Sequence, residues 1–142
     1  MRKLLIITAL ILLAGVTFGQ TLEKGNILAL HVIKANLDPD VSYNQWKNFG
    51  VTKFIPEFNK QFQGDVKLYF AEVDRGNDEN GLSLIYIFKS LETRAKYFTE
   101  EGTATELFNS RYEKAMQAFP DEISALGTTS FSYGHYNDWV IQ

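Results

Sequence analysis

The segment Asn26 to Leu37, NILALHVIKANL, constrains this chain more than any other. Leu28, Leu30 and Val32 alternate with Ile27, Ala29, His31 and Ile33, so an extended chain here is apolar on both faces. A strand of this kind is covered on both sides, and the rest of the chain has to supply the two covers. Asp38-Pro39-Asp40 breaks the strand. Ser42 then offers a cap for a helix in which Trp46, Phe49, Phe54, Phe58 and Phe62 recur near helical spacing. Pro56 lacks an amide hydrogen and its ring crowds the carbonyl four residues back, which predicts a bend or a restart there.

Further along, Val66 to Arg75 and Leu82 to Phe88 are rich in strand formers, and GNDENG (76–81) between them has turn chemistry, which predicts a hairpin. Ser90 caps a second helical segment, SLETRAKYF, which breaks at Gly102. Thr103 and Glu106 have the spacing of a capping box for a third, carrying Leu107, Phe108, Tyr112, Ala115, Met116 and Phe119 up to Pro120. Thr128 to His135 alternates Phe131, Tyr133 and His135 against small residues, the pattern of a last strand with one buried face. Strand, helix, hairpin, split helix, strand is a ferredoxin-like βαββαβ unit of the α+β class, with helices on one face of an antiparallel sheet. Such a sheet, apolar on both sides, needs a second layer, and the simplest source is a second copy in a two-fold homodimer.

The N-terminal 19 residues read as a signal peptide. Arg2-Lys3 precedes the 13-residue apolar run Leu4 to Val16, with small residues at Thr17 and Gly19 ahead of a cleavage site. The run falls short of the roughly 20 residues that span a bilayer, so the expected product is an exported domain from residue 20 to 142, periplasmic or extracellular, without a membrane anchor.

Composition excludes several kinds of chemistry. Without Arg2 and Lys3, 12 basic residues face 17 acidic ones, a balance that disfavours an electrostatic nucleic-acid binder. With no cysteine there is no disulfide, thiolate nucleophile or Cys-ligated metal. The two histidines, His31 and His135, stand about a hundred positions apart without spaced carboxylates, so no metal is expected, and no cofactor. Gly-rich phosphate loops, G-x-S-x-G and H-E-x-x-H are absent, and Asp74 to Glu79, DRGNDE, has the composition of a calcium loop without its spacing.

HVIKANLDPD at the start of the domain, KFIPEFNK late in the first helix and YIFKSLETRAKYF at the strand-to-helix junction resemble the dimeric α+β barrel superfamily. Its branches include antibiotic-biosynthesis monooxygenases, stress-responsive A/B barrel proteins and related polyketide cyclases. The resemblance covers nearly all of the chain after the leader, through loose packing patterns, and implies a cavity between sheet and helices. Two departures bear on activity. Where stress-responsive barrels and cyclases have a His-Pro-x-His stretch, this chain reads TEEGTATELF, and no helical segment holds the histidine that haem-degrading members use as an axial ligand. Glu100 and Glu101 stand in that gap as a carboxylate alternative or, more simply, as a solvated loop.

The candidate site is therefore His31, as a neutral base or hydrogen-bonding group, with Trp46, Phe49, Tyr86 and Tyr97 as aromatic walls for a flat apolar ligand. Ordinary core packing accounts for the same residues, and His135 suits a subunit interface. Three readings follow: a homodimer that binds a small apolar or aromatic ligand, a cofactor-independent monooxygenase- or cyclase-like enzyme using His31 or a pocket tyrosine, and an interaction module without a pocket.

Overall fold

The computed structural model describes residues 22–74, 82–127 and 130–142. The leader (1–19), the acidic turn apart from Asp74, and the side chains of Phe131, Tyr133, His135 and Tyr136 lie outside the described residues. The element order is β1 (Ile27–Asn36), α1 (Tyr43–Phe49), a π-helical turn (Gly50–Phe54), α2 (Ile55–Gln61), β2 (Val66–Glu72), β3 (Leu82–Phe88), α3 (Leu91–Tyr97), α4 (Glu106–Gln117), α5 (Pro120–Ala125) and β4 (Ser130–Val140). The strands form one sheet in the order β2-β3-β1-β4. All three pairings are antiparallel. This is an α+β arrangement compatible with a ferredoxin-like fold.

Register divides the sheet into two faces. Ile27, Ala29, His31 and Ile33 of β1 lie opposite Phe88, Tyr86, Leu84 and Leu82 of β3. Those residues continue across to Val66, Leu68 and Phe70 of β2. This face carries the core: Ile27, Ala29, Val66, Leu68, Tyr86 and Phe88 pack with Phe58 and Phe62 of α2, Tyr97 of α3 and Phe108 and Ala115 of α4. Leu28, Leu30 and Val32 share the other face with Ile87, Ile85 and Ser83. Lys67 and Tyr69 of β2 extend that face beyond Ile87 and Ile85, and on the far side of β1 Trp139 of β4 pairs with Leu28. Val32 and Ile87 are buried, while Tyr69 and Trp139, on the two edge strands, are 40% and 44% exposed.

The first helix is broken where Pro56 requires it. Ser42 caps α1 by accepting from the Gln45 amide. The helix then widens into the π turn, where the Ile55 amide reaches the Gly50 carbonyl five residues back, and resumes as α2 with Pro56 in its first turn. A proline cannot donate to the carbonyl four residues earlier, and its ring crowds that group. A turn with an extra residue relieves both problems without ending the helix. Asn59 then fixes α2 to the edge strand: its side-chain carbonyl accepts from the Leu68 amide at 2.7 Å, and its amide donates to the Leu68 carbonyl at 3.1 Å. Those two backbone groups lie on the outer side of β2, where no strand pairs with them.

Two sequence expectations need correction and one needs an addition. The cap of α4 is Thr105, whose hydroxyl accepts from the Phe108 amide, and not Thr103. A short antiparallel bridge between Phe98 and Ala104, together with the Thr105 amide donating to the Tyr97 carbonyl, holds the chain extended through Thr103, so the helix starts two residues later. α4 ends at Gln117, ahead of Pro120 as expected, and Pro120 then opens a further short helix, α5, as its first residue. The last strand runs on to Val140, which puts His135 in mid-strand opposite Val32. A register shift beside that pair, between Val32 and Ile33, leaves Gly134 as the extra residue of a bulge.

Candidate functional site

Between the sheet and the helical layer lies a cavity of about 380 Å³, within the range of small-molecule sites. Its floor is the helix-facing side of the sheet: Ile33, Leu68, Phe70, Leu84 and Tyr86. Its outer wall comes from α1, the π turn and the start of α2, with Trp46, Phe49, Gly50, Phe54 and Ile55. Phe108, Tyr112 and Met116 of α4 close one end, and Ile123, Leu126 and Gly127 of α5 and the turn after it close another. Gly127 has φ +60° and lies so near Asp38 that an added Cβ would come within 2.5 Å of a carboxylate oxygen, so only glycine fits there.

The wall is built from ring contacts. Trp46 meets Phe70 edge-on at 5.8 Å, Phe54 meets Tyr112 at 5.6 Å and Phe49 meets Phe119 at 5.7 Å. No residue of α1 or of the π turn is buried. Their polar ties run along the rim. Tyr43 donates to Glu72 at 2.9 Å, and Lys47 donates to both oxygens of that carboxylate at 3.0 Å. Lys53 forms an ion pair with Glu122. Hydrogen bonds from Lys47 and Tyr43 hold the Glu72 carboxyl below its ordinary range, whereas desolvation and then the bond to Glu72 push the Tyr43 phenol up to about 12.

The structure brings three of the five expected site residues, Trp46, Phe49 and Tyr86, onto the cavity wall. Tyr97 is elsewhere. It is fully buried beside Phe62, donates to Asp65 at 3.0 Å and lies under the Arg111 guanidinium. Burial first, and the bond to Asp65 second, raise its phenol to about 12. Its role is to close the core at the far end of the helical layer from the cavity. His31 stands behind the wall, its ring 5.1 Å from that of Tyr86, and is not a lining residue. Desolvation lowers its pKa, the Asp138 carboxylate partly offsets this, and the Arg94 guanidinium adds to it. Arg94 and Asp138 are themselves paired at 2.9 Å, which leaves the imidazole neutral next to a cavity tyrosine.

Sequence reasoning missed Phe54, Phe70, Tyr112 and Ile123 as lining residues. Phe70 could have been found: Tyr86 and Leu84 are on the helix-facing side, and a hairpin register carries that side to the even-numbered positions of β2. The contribution of α5 had no such signal, because the helical pattern was read only as far as Pro120. Among the described residues there is no group of three or more His, Asp or Glu placed to hold a metal ion, and no helix is long and apolar enough to cross a membrane. Comparisons with protein families, curated proteins and solved structures find no match to this chain.

Proposed function

We propose that this chain is an exported binding protein that takes a small apolar or aromatic ligand into the cavity between sheet and helices, and that it works as a homodimer of the α+β barrel kind. The observation that carries the reading is the cavity itself, about 380 Å³ with seven aromatic residues among its sixteen lining positions. A layer meant only for packing would close such a space, because each void forfeits dispersion contacts and costs stability in proportion to its volume. For the same reason the cavity speaks against a pocketless interaction module.

The homodimer rests on the second sheet face. Every sheet residue of the core cluster comes from the helix-facing side, while Leu28, Leu30, Ile85 and Ile87 form the centre of the opposite face, with Tyr69 and Trp139 exposed at its edges. A second copy applied about a two-fold axis would bring identical apolar strands together and complete the barrel. Export rests on the leader pattern and the absence of cysteine.

A second reading, a cofactor-independent enzyme, is favoured by one contact. Tyr86 lines the cavity and its ring lies 5.1 Å from that of His31, whose lowered pKa would give an acidic substrate a neutral base close to the wall. Native mass spectrometry of the secreted protein tests the first reading: the expected species is a dimer of leader-free chains carrying a small-molecule adduct. A ligand-free monomer starting at Met1 would contradict it on all three counts.

A further inference from the structure

Resting on that ligand-site reading, we propose that the ligand is an uncharged planar aromatic of one or two rings, and that the cavity rejects carboxylates and amines of the same shape. None of the sixteen lining residues is Asp, Glu, Lys, Arg or His, and none is Ser, Thr, Asn or Gln. The polar side-chain atoms of the wall are the Trp46 indole N–H and the hydroxyls of Tyr86 and Tyr112. An ion entering would trade its hydration for a few neutral dipoles, and unpaired buried charge is among the costliest states in a protein.

The lysines of the rim are paired, Lys47 with Glu72 and Lys53 with Glu122, and the Asp38 carboxylate beside the lining Gly127 accepts from the Asp40 amide. An anion would have to draw Lys47 or Lys53 out of its pair, and a cation would find no carboxylate among the lining residues, the nearest, Asp38, standing behind Gly127. Flatness follows from the rings. Trp46, Phe70, Phe54 and Tyr112 present edges and faces at 64° and 69° to each other, surfaces that suit an inserted ring through edge-to-face and stacked contacts.

Gly50 adds an independent observation. It lines the cavity in helical conformation, and a Cβ built there has no heavy atom within 4 Å. Alanine would fit and would strengthen the helix, so the glycine gives up local stability at a position of the cavity wall that carries no side chain.

The test is titration of 2-naphthol, 2-naphthoate and 2-naphthylmethylammonium at pH 7, followed by calorimetry, into the wild-type protein and Gly50→Trp. We expect 2-naphthol to bind at least tenfold more tightly than either ion, and the variant to lose at least tenfold in 2-naphthol affinity with its melting midpoint within a few degrees of wild type. If Gly50→Trp does not fold or leaves 2-naphthol binding intact, Ile123→Trp, at a lining position of α5, is the filled variant that decides. Ions that bind as tightly as 2-naphthol, with the binding still lost in the filled variant, overturn the charge selection and leave the ligand site standing. Absence of binding by all three, or binding that survives filling, overturns the ligand site and the inference with it.

Discussion

The two ends of the helical layer lie over the same sheet face and are built to opposite standards. Under α2, α3 and α4, Phe58 stacks on Phe62 at 4.1 Å, Phe62 meets Tyr97 at 5.2 Å, and all three are 0% exposed. Under α1 and the π turn no residue of the layer is buried, the aromatic rings surround open volume, and exposed ion pairs hold the rim. Both ends draw on the same kind of sequence, a helix with an aromatic residue every three or four positions. The difference is the junction. Gly50 and Pro56 bracket the π turn, which interrupts the regular α-helical bonding between the two ends. One end of the layer thus supplies stability and the other supplies space.

Truncation should separate the two ends most strongly. Phe58→Ala removes a fully buried ring from a stacked cluster and should cost about 3–5 kcal/mol in urea unfolding. Phe49→Ala, on the partly buried cavity wall, should cost less, about 1–2 kcal/mol, because that ring meets Phe119 on one side and empty volume on another. Equal losses would erase the contrast.

Asn59→Ala comes next. It strips two hydrogen bonds from the outer edge of β2 and should destabilise by about 1–2 kcal/mol, with faster hydrogen exchange at the Leu68 amide as its signature. Gly50→Ala should act in the opposite direction and raise stability by about 0.5–1 kcal/mol, read as a higher thermal midpoint, since its φ of −54° and ψ of −53° suit alanine.

The smallest effect concerns pH. His31 has a folded-state pKa below its unfolded value of 6.5. As pH falls through that value the unfolded chain takes up a proton that the folded chain resists, so stability declines toward the folded pKa. Urea midpoints between pH 8 and 5.5 should drop in the wild type and drop less in His31→Gln. Glu57, Glu72, Glu101 and Glu122, all with carboxyls held below 4.5, lose their contribution in a separate, more acidic window.

How far the sequence could be read tracks the same division. The two-faced apolar strand, the Ser42 and Ser90 caps and the hairpin emerged from local chemistry, because period and capping are properties of neighbouring residues. So did the break at Pro56, although a π turn in place of a bend depends on how the flanking helices are anchored. The Thr105 cap was illegible: it follows from a bridge between Phe98 and Ala104 that only the folded chain makes. Tyr86 could be placed near a cavity because register puts it on the helix-facing side of the sheet, and Trp46 and Phe49 because they recur at helical spacing in the helix that covers that side. Tyr97 sits in a covering helix too, but whether a buried ring meets a void or another ring depends on the separation of the layers. That separation is set by side chains far apart in sequence, such as Phe54 and Tyr112.

Hydrogen–deuterium exchange with and without saturating 2-naphthol tests the division of the layer most directly. Slowed exchange is expected in α1, the π turn and the first turn of α2, residues 43–57, and to a lesser degree in α5, with α3 and the central strands unchanged. Protection spread evenly over the helical layer, or none in residues 43–57 while 2-naphthol is bound, would contradict it.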